Sequence, residues 1–437
     1  MQVTKGMRDF YPEEFKLREW LFDKFRGAAL RSGFQFYDCP IIESEALYIR
    51  KAGEEITEQL YVLEDKSGRT LALRPEMTPS LARMVVQKFK ELPGIIKWSS
   101  IPQCFRYERM TRGRKREHYQ WNLDYLGEPS MIAETEVIAT AIHAIESMNL
   151  GPSEVKVRIS NRRLLADMIL ALGVTEVQIN SVFMQIDKLG KIPDELLIQN
   201  LINNCTMLED TAQKILKMVQ ISELSEVTSY ATQLDADLTG LNELNELFGL
   251  LQEYGFGQYL EFDFSIVRGL AYYTGTVFEL FDVGKGLRAI AGGGRYDHLI
   301  EHLANVDLSD KAKGTISKEA VGLGFGDVVI FELLKDRNKL PELKSSLDCY
   351  LVPFDKKDVA FLMPILKELR CRGLSAQIHF PPQKPRKMFA KANQLNARHT
   401  LVAGSLERES GTVKWKDFQR GEESVVSIEE VVSKIVS

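Results

Sequence analysis

The run Phe105-Arg106-Tyr107-Glu108-Arg109-Met110-Thr111-Arg112-Gly113-Arg114-Lys115-Arg116-Glu117 crowds five arginines and a lysine into one short stretch. So much like charge is costly unless an anion sits there. Arginine rather than lysine suits planar, bidentate binding of phosphate. A solvated hairpin tip would account for the same residues. A second stretch, Val267-Arg268-Gly269-Leu270-Ala271-Tyr272-Tyr273, could set a cation and a phenol into a pocket, although paired tyrosines are usually half-buried sheet packing. In Ala291-Gly292-Gly293-Gly294-Arg295-Tyr296-Asp297 three glycines let the backbone approach a ligand or a neighbouring strand closely, or simply make a turn. The glycines of Val321-Gly322-Leu323-Gly324-Phe325-Gly326-Asp327 do not have dinucleotide-fingerprint spacing. No G-x-x-x-x-G-K-[ST], G-x-S-x-G or H-E-x-x-H pattern occurs, which excludes a P-loop, a nucleophile elbow and a zinc-protease helix.

These stretches need a scaffold, and periodicity supplies one. Residues 13–32 carry Phe15, Leu17, Trp20, Leu21, Phe25 and Leu30 at helical spacing. Alternation at Phe34, Phe36 and Tyr37 stops at Pro40, and residues 61–63 and 70–73 flank a Lys66-Ser67-Gly68 turn. Thr78-Pro79 opens a helix to about residue 90. Strand-like runs over 95–107 and 118–126 enclose the basic loop, and helix returns over 129–148. Hairpin strands between helices predict an α+β fold, a largely antiparallel sheet with flanking helices, and not a doubly wound one. From 174 to 251 aromatics thin out and Leu and Ile recur at helical spacing, predicting a helical insertion. Strand signals return at 260–266, 277–281 and 287–290, and a helix after Val328 closes the unit. Beyond a polar linker at 335–346, residues 349–352, 375–379 and 400–402 alternate with helical 359–370 and 386–396, the rhythm of a small α/β domain.

A length of 437 residues, 44% hydrophobic and 27% charged, fits a soluble globular chain of two or three domains and excludes disorder or collagen-like order. No apolar run approaches the roughly 20 residues that span a bilayer. The opening Met1-Gln2-Val3-Thr4-Lys5-Gly6 has neither an apolar nor an Arg-rich leader, so a cytoplasmic chain without a membrane partner is expected. Cys39, Cys104, Cys205, Cys349 and Cys371 are scattered and read as reduced, structural thiols. Net charge is −5, yet over 347–437 Lys and Arg outnumber Asp and Glu by 15 to 11. A basic module on an acidic body fits a docked polyanion; an ordinary solvated surface fits as well.

Together the motifs resemble the class II aminoacyl-tRNA synthetases, and within them the histidyl-tRNA synthetases, over nearly the whole chain. Lys5-Gly6-Met7-Arg8-Asp9 is similar to the family's opening. Gly33-Phe34 through Pro40 resembles motif 1, the dimer-forming element, and Phe105-Arg106-Tyr107-Glu108 with its arginine-rich loop resembles motif 2. Arg268-Gly269-Leu270-Ala271-Tyr272-Tyr273 and Gly292-Gly293-Gly294-Arg295-Tyr296-Asp297 are similar to the two histidine motifs. The resemblance implies a class II catalytic domain over 1–173 and 252–334, a helical insertion over 174–251, a linker over 335–346 and an anticodon-binding domain over 347–437. It also implies a homodimer that joins L-histidine to ATP, with Mg2+, and passes the histidyl group to the 3′ end of tRNA(His).

The same resemblance carries residue roles. Arg106 would hold the α-phosphate and Arg268 would stabilise the charge developing there, where other class II enzymes use a metal ion, so no side-chain metal ligand is implied. Arg114 and Arg116 would meet the outer phosphates, bridged by Mg2+, and Glu108 the adenine amino group. Glu76, Thr78 and Gln120 match the acceptors for the α-ammonium; Tyr273 and Asp124 would serve the two imidazole nitrogens, with Tyr272 and Gly293 completing the pocket. Such a pocket rejects apolar isosteres, because its own polar groups would be left unpaired. Without that context Glu76 reads as a surface carboxylate. Arg109 and Thr111 sit where the family reads the tRNA acceptor end. Lys384, Arg386, Lys387 and Lys391 would follow the anticodon stem backbone, or else open a solvated helix.

Two positions depart from the family. Residue 271 is alanine in place of aspartate, and Gly326-Asp327-Val328-Val329 puts valine where the final motif carries an arginine over adenine and the γ-phosphate. A bacterial and plant-organelle branch is similar in both changes. A compensating cation is expected, Arg112 or Arg295. Two other readings compete: a non-aminoacylating paralogue acting as a regulatory subunit of ATP phosphoribosyltransferase, and an RNA-binding module without catalysis. The former lacks an anticodon-binding domain, and the latter gives Glu76, Gln120, Asp124 and Tyr273 no reason to converge.

Overall fold

Apolar spacing in the first helix, Pro12–Arg31, turns Leu21, Phe22, Phe25, Ala28 and Ala29 inward, while Pro12 presets its first turn and Glu13 and Glu14 oppose its dipole. This helix lies on one face of the main sheet, where Phe25 stacks on Trp121 at 4.6 Å. The computed structural model describes residues 1–49, 57–267, 272–284, 286–307, 318–343, 347–418 and 420–436. Its backbone separates into two units, Met1–Pro341 and Glu342–Ser437.

The first unit holds β1 (Gln35–Phe36), β2 (Ile42–Ser44), β3 (Tyr61–Glu64), β4 (Thr70–Leu73), β5 (Ile96–Ser100), β6 (Gln103–Phe105), β7 (Glu117–Leu126), β8 (Val155–Asn161), β9 (Leu260–Phe262), β10 (Thr276–Asp282), β11 (Ala291–Arg295) and β12 (Ala320–Gly326). The main sheet runs β1-β5-β7-β12-β11-β10-β8-β9, with β6 paired to β7; β2-β4-β3 form a small sheet of their own. Among the described residues of this unit, β1–β5 and β8–β9 are the parallel pairs and the rest are antiparallel, so the α+β reading holds. The run expected over 95–107 is broken between β5 and β6 at Pro102, which has no amide hydrogen for the ladder.

Residues 176 to 253 contribute five helices, Glu176–Ile186, Asp194–Cys205, Glu209–Val219, Leu224–Gln233 and Thr239–Glu253, as the helical spacing predicts. The strand expected over 287–290 is not there. Instead β11 and β12 are built on the glycine runs themselves, Gly292-Gly293-Gly294 and Gly322, Gly324 and Gly326. The second unit orders its strands β14-β13-β15-β16-β17, with β13 (Leu347–Pro353), β14 (Ala376–Ile378), β15 (Ala397–Ala403), β16 (Thr412–Asp417) and β17 (Glu423–Ser427). β13 pairs in parallel with β14 and β15, with helices Lys356–Cys371 and Pro385–Gln394 as the crossovers, which is the α/β rhythm seen in the sequence. Among the described residues no single helix is long and apolar enough to cross a membrane.

Candidate active site

Strand alternation gives β7 two different faces. Trp121, Leu123 and Tyr125 enter the core, while His118, Gln120, Asn122 and Asp124 point the other way. Across the sheet, Asn122 is paired to Gly324, Gly324 to Gly292, Gly292 to Glu279, and Glu279 to Arg158. The two middle strands therefore have no side chains on this row, and the floor lies open between polar walls. The glycines are also required by packing: a Cβ on Gly322 would stand 2.5 Å from Asp124 Oδ1, and one on Gly324 would collide with the Gln120 amide. Above this floor lies a cleft of about 650 Å³.

Glu76, Thr78, Arg106, Glu108, Arg114, Gln120, Tyr272 and Tyr273 all line that cleft. Glu76 is 3% exposed and accepts a 3.2 Å hydrogen bond from the Tyr272 hydroxyl, so it is no surface carboxylate. Arg106 leaves the end of β6 and donates through Nε to the Pro75 carbonyl at 2.9 Å, tying the basic loop to the segment that carries Glu76. Arg114 pairs with Glu108 at 2.9 Å across a tight turn at Thr111–Arg114, where Gly113 takes a φ of +83°.

Asp124 lies on this same face beside Gly322 and is buried, outside the residues that line the cleft. Its Oδ1 receives a 2.5 Å hydrogen bond from Tyr296, whose ring lines the cleft. Burial pushes the Asp124 carboxyl up to about 7, with the Tyr296 hydrogen bond pulling the other way. His118 also lines the cleft, and burial, then the Arg106 charge, drive it down to about 3, so it stays neutral.

The other expected residues lie elsewhere. Arg116 stacks on Tyr107 at 3.8 Å and is not among the lining residues. At Gly293 a Cβ would face Phe278 in the core; the glycine lining the cleft is Gly292. Arg109 and Thr111 are exposed in the loop outside the cleft, and Lys384, Arg386 and Lys387 are exposed at the start of helix Pro385–Gln394 in the second unit. Arg268, with Gly269, Leu270 and Ala271, lies outside the described residues.

Neither expected compensating cation reaches the cleft. Arg112 turns outward to Glu332 at 3.0 Å and Asp336 at 2.5 Å. Arg295 is buried behind the strand, held by both oxygens of Glu134 at 2.7 Å and by Asp297 at 3.3 Å. Asp327, which opens the helix after the last glycine strand, is fully buried and pairs with Arg8 at 2.9 Å; Arg8 also reaches Glu117 at 3.2 Å. Burial raises the Asp327 carboxyl and Arg8 opposes the shift.

The sequence reading missed His118, Asn122, Glu279, Arg158 and Arg288, all of which line the cleft. The polar alternation His118, Gln120, Asn122, Asp124 was a usable signal for the first two. Among the described residues no group of three His, Cys, Asp or Glu side chains is placed to hold a metal ion.

A family model described as histidyl-tRNA synthetase matches residues 6–315, and one described as an anticodon binding domain matches residues 348–437. The chain is 39% identical to the chloroplastic/mitochondrial histidine–tRNA ligase of Arabidopsis thaliana over 428 residues, covering 98% of this chain and 85% of the relative. It is 35% identical to the histidine–tRNA ligase of Leptospira biflexa over 437 residues, 99% of this chain and 96% of that one. The crystal structure of histidyl-tRNA synthetase from Nostoc sp. PCC 7120 shares the fold, with a TM-score of 0.80 at 23% identity, covering 100% of this chain and 99% of that one.

Proposed function

The chain belongs to the histidyl-tRNA synthetase family, and we propose that it ligates L-histidine to tRNA(His) at the cleft on the glycine-floored face of its sheet. The observation that carries this reading is the convergence there of a buried carboxylate bound to a tyrosine, Glu76 with Tyr272, and two arginines from the basic loop, Arg106 and Arg114. The cleft offers acceptors for an ammonium group and cations for phosphates.

In the first step the histidine carboxylate attacks the α-phosphorus of ATP, the bond to the bridging oxygen breaks, and pyrophosphate leaves with the histidyl-adenylate held in place. Two anions must meet, so fixed positive charge at the reacting centre is the main requirement. Arg106 serves the α-phosphate, and Arg268 is assigned to the charge that develops on it. Glu108 accepts from the adenine amino group, and Arg114 meets the outer phosphates, to which Mg2+ comes bound as part of the nucleotide substrate. Arg116, stacked on Tyr107, acts on the loop rather than on the phosphates. Glu76, Thr78 and Gln120 take the α-ammonium. Tyr273 faces one imidazole nitrogen, and Asp124 acts on the other through Tyr296, to which it is hydrogen-bonded. In the second step the terminal adenosine hydroxyl of tRNA attacks the activated carbonyl, the mixed-anhydride bond breaks and AMP leaves, with Arg109 and Thr111 toward the acceptor end and Lys384, Arg386 and Lys387 toward the anticodon stem.

The assembly is a homodimer formed through the motif 1 segment that includes β1. The regulatory-subunit reading is not favoured, because histidine–tRNA ligases match over nearly the whole chain and residues 348–437 match an anticodon-binding domain. Histidine-dependent ATP–pyrophosphate exchange tests the assignment. Exchange without RNA is expected, and its absence from the purified chain would leave the cleft without this chemistry.

A further inference from the structure

Arg288 belongs to the segment between β10 and β11, and no role above uses it. Its side chain lines the cleft with Arg106 and Arg114. Its Cγ and Cδ come within 3.7 and 3.8 Å of the point where a Cβ on Gly113 would stand, and Val329 Cγ2 comes within 3.4 Å of the same point. The Arg288 stem, the turn of the basic loop and Val329 thus meet at one place on the cleft wall. Val328 and Val329 offer no charge there, and Arg112 and Arg295 are committed elsewhere.

Charge makes the position informative. Among the described residues no ion pair or hydrogen bond holds the Arg288 side chain. Its electrostatic neighbours are Arg114 and Arg106, which repel it, and Glu108 and Glu279, which attract it. Glu108 is already bound to Arg114. Arg288 is open to solvent through the mouth of the cleft yet close to protein on its other sides, and burial, then Arg114, lowers its pKa. Three guanidinium groups outnumber the neighbouring Glu108 and Glu279, and a multiply charged anion entering between them would balance the excess. A planar guanidinium whose donors have no partner among the described residues is suited to adjacent phosphate oxygens.

We propose that Arg288 binds the β- and γ-phosphates of ATP, and the pyrophosphate that leaves, supplying from the β10–β11 segment the cation that the Val328-Val329 pair lacks. This rests on the cleft being the ATP site. Because the outer phosphates gain charge as the bridging bond breaks, Arg288 acts on both nucleotide affinity and the leaving group.

The test is steady-state ATP–pyrophosphate exchange with the full chain as wild type, R288A and R288K, varying ATP, pyrophosphate and histidine in turn. R288A is expected to raise the apparent KM for ATP and for pyrophosphate about tenfold or more, the scale of a charged hydrogen bond, and to leave the histidine KM unchanged. R288K should recover part of the loss, since lysine restores the charge but not the fork. ATP and pyrophosphate KM values within twofold of wild type in R288A would overturn the assignment. Calorimetric titration with inorganic tripolyphosphate separates this from the reading beneath it. If wild type shows no exchange but binds tripolyphosphate and R288A does not, Arg288 stands and the ATP chemistry falls; equal binding by both removes Arg288. An unchanged melting temperature in R288A confirms that an exposed, unpaired side chain was removed without unfolding.

Discussion

Tyr296 and Asp124, far apart in the chain, share a 2.5 Å hydrogen bond in the space that a Gly322 side chain would fill, and both are almost wholly buried. Only the absence of a side chain at 322 leaves room for it. The bond gives a carboxyl group in an apolar setting one strong donor, and turns the tyrosine ring to face the cleft.

The pH dependence of that buried carboxyl is the first prediction. Asp124 is held near 7 in the fold against 3.8 as its ordinary value, so the folded chain binds an extra proton between those limits and loses stability as pH rises through them. Melting curves of wild type and D124N without ligands should converge near pH 4 and separate toward pH 7, with wild type falling relative to the variant and no further change above. A constant difference across that window would mean Asp124 ionises normally. D124N should also raise the KM for histidine in exchange assays.

Arg106 is predicted to matter for the chemistry more than for the fold. R106A removes a cation from the α-phosphate as charge develops, and a loss of about 10²- to 10³-fold in the rate of histidine activation is expected. Its bond to the Pro75 carbonyl predicts a small fall in melting temperature as well. Single-turnover formation of histidyl-adenylate measures the first effect directly, and a near-normal rate would remove Arg106 from the reacting centre.

Arg8 is predicted to be structural. It neutralises Asp327, which is fully buried, and Glu117, and its backbone amide binds Glu117 as well. R8A should destabilise the first unit by about 3 kcal/mol, the scale of leaving a buried charge without its partner, and R8A with D327N should recover much of it. Denaturant titration of the three variants gives the coupling; additive losses would show that the pair is not coupled.

Removal of Glu342–Ser437 should separate the two half-reactions. The two units have distinct hydrophobic cores, so the remaining chain is expected to keep ATP–pyrophosphate exchange within a few-fold while tRNA charging falls at least tenfold. Equal losses in both assays would contradict the division.

Much of this was legible in residue order because it depends on local pattern. The alternation of β7, the helical spacing of 176–253 and the turn at Lys66-Ser67-Gly68 each belong to one segment. Glu76 and Tyr272 were found as separate motif residues, and their pairing emerges only when the strands assemble. One gap has a plain physical cause: glycine has no side chain to show which face it occupies. Gly292-Gly293-Gly294 read either as a close approach to a neighbouring strand or as a turn, and 287–290 as the strand; the close approach of β11 to β10 and β12 is what requires the glycines. The same blindness chose Gly293 over Gly292. Arg112 and Arg295 were expected as the compensating cation because sequence shows charge but not the carboxylates that use it up.

The hook at the amino terminus has a consequence for how the molecule is made. Gly6 accepts the amide of Arg116, and Arg8 closes on Glu117 and on Asp327. Residues 6–8 are made long before residue 327, the last of these partners to emerge. Until then Arg8 has only part of its anchorage, and contacts this distant in the chain form slowly. A nascent chain stalled before residue 327 should therefore leave its first residues open to protease, and the catalytic half becomes protected only after that late aspartate appears.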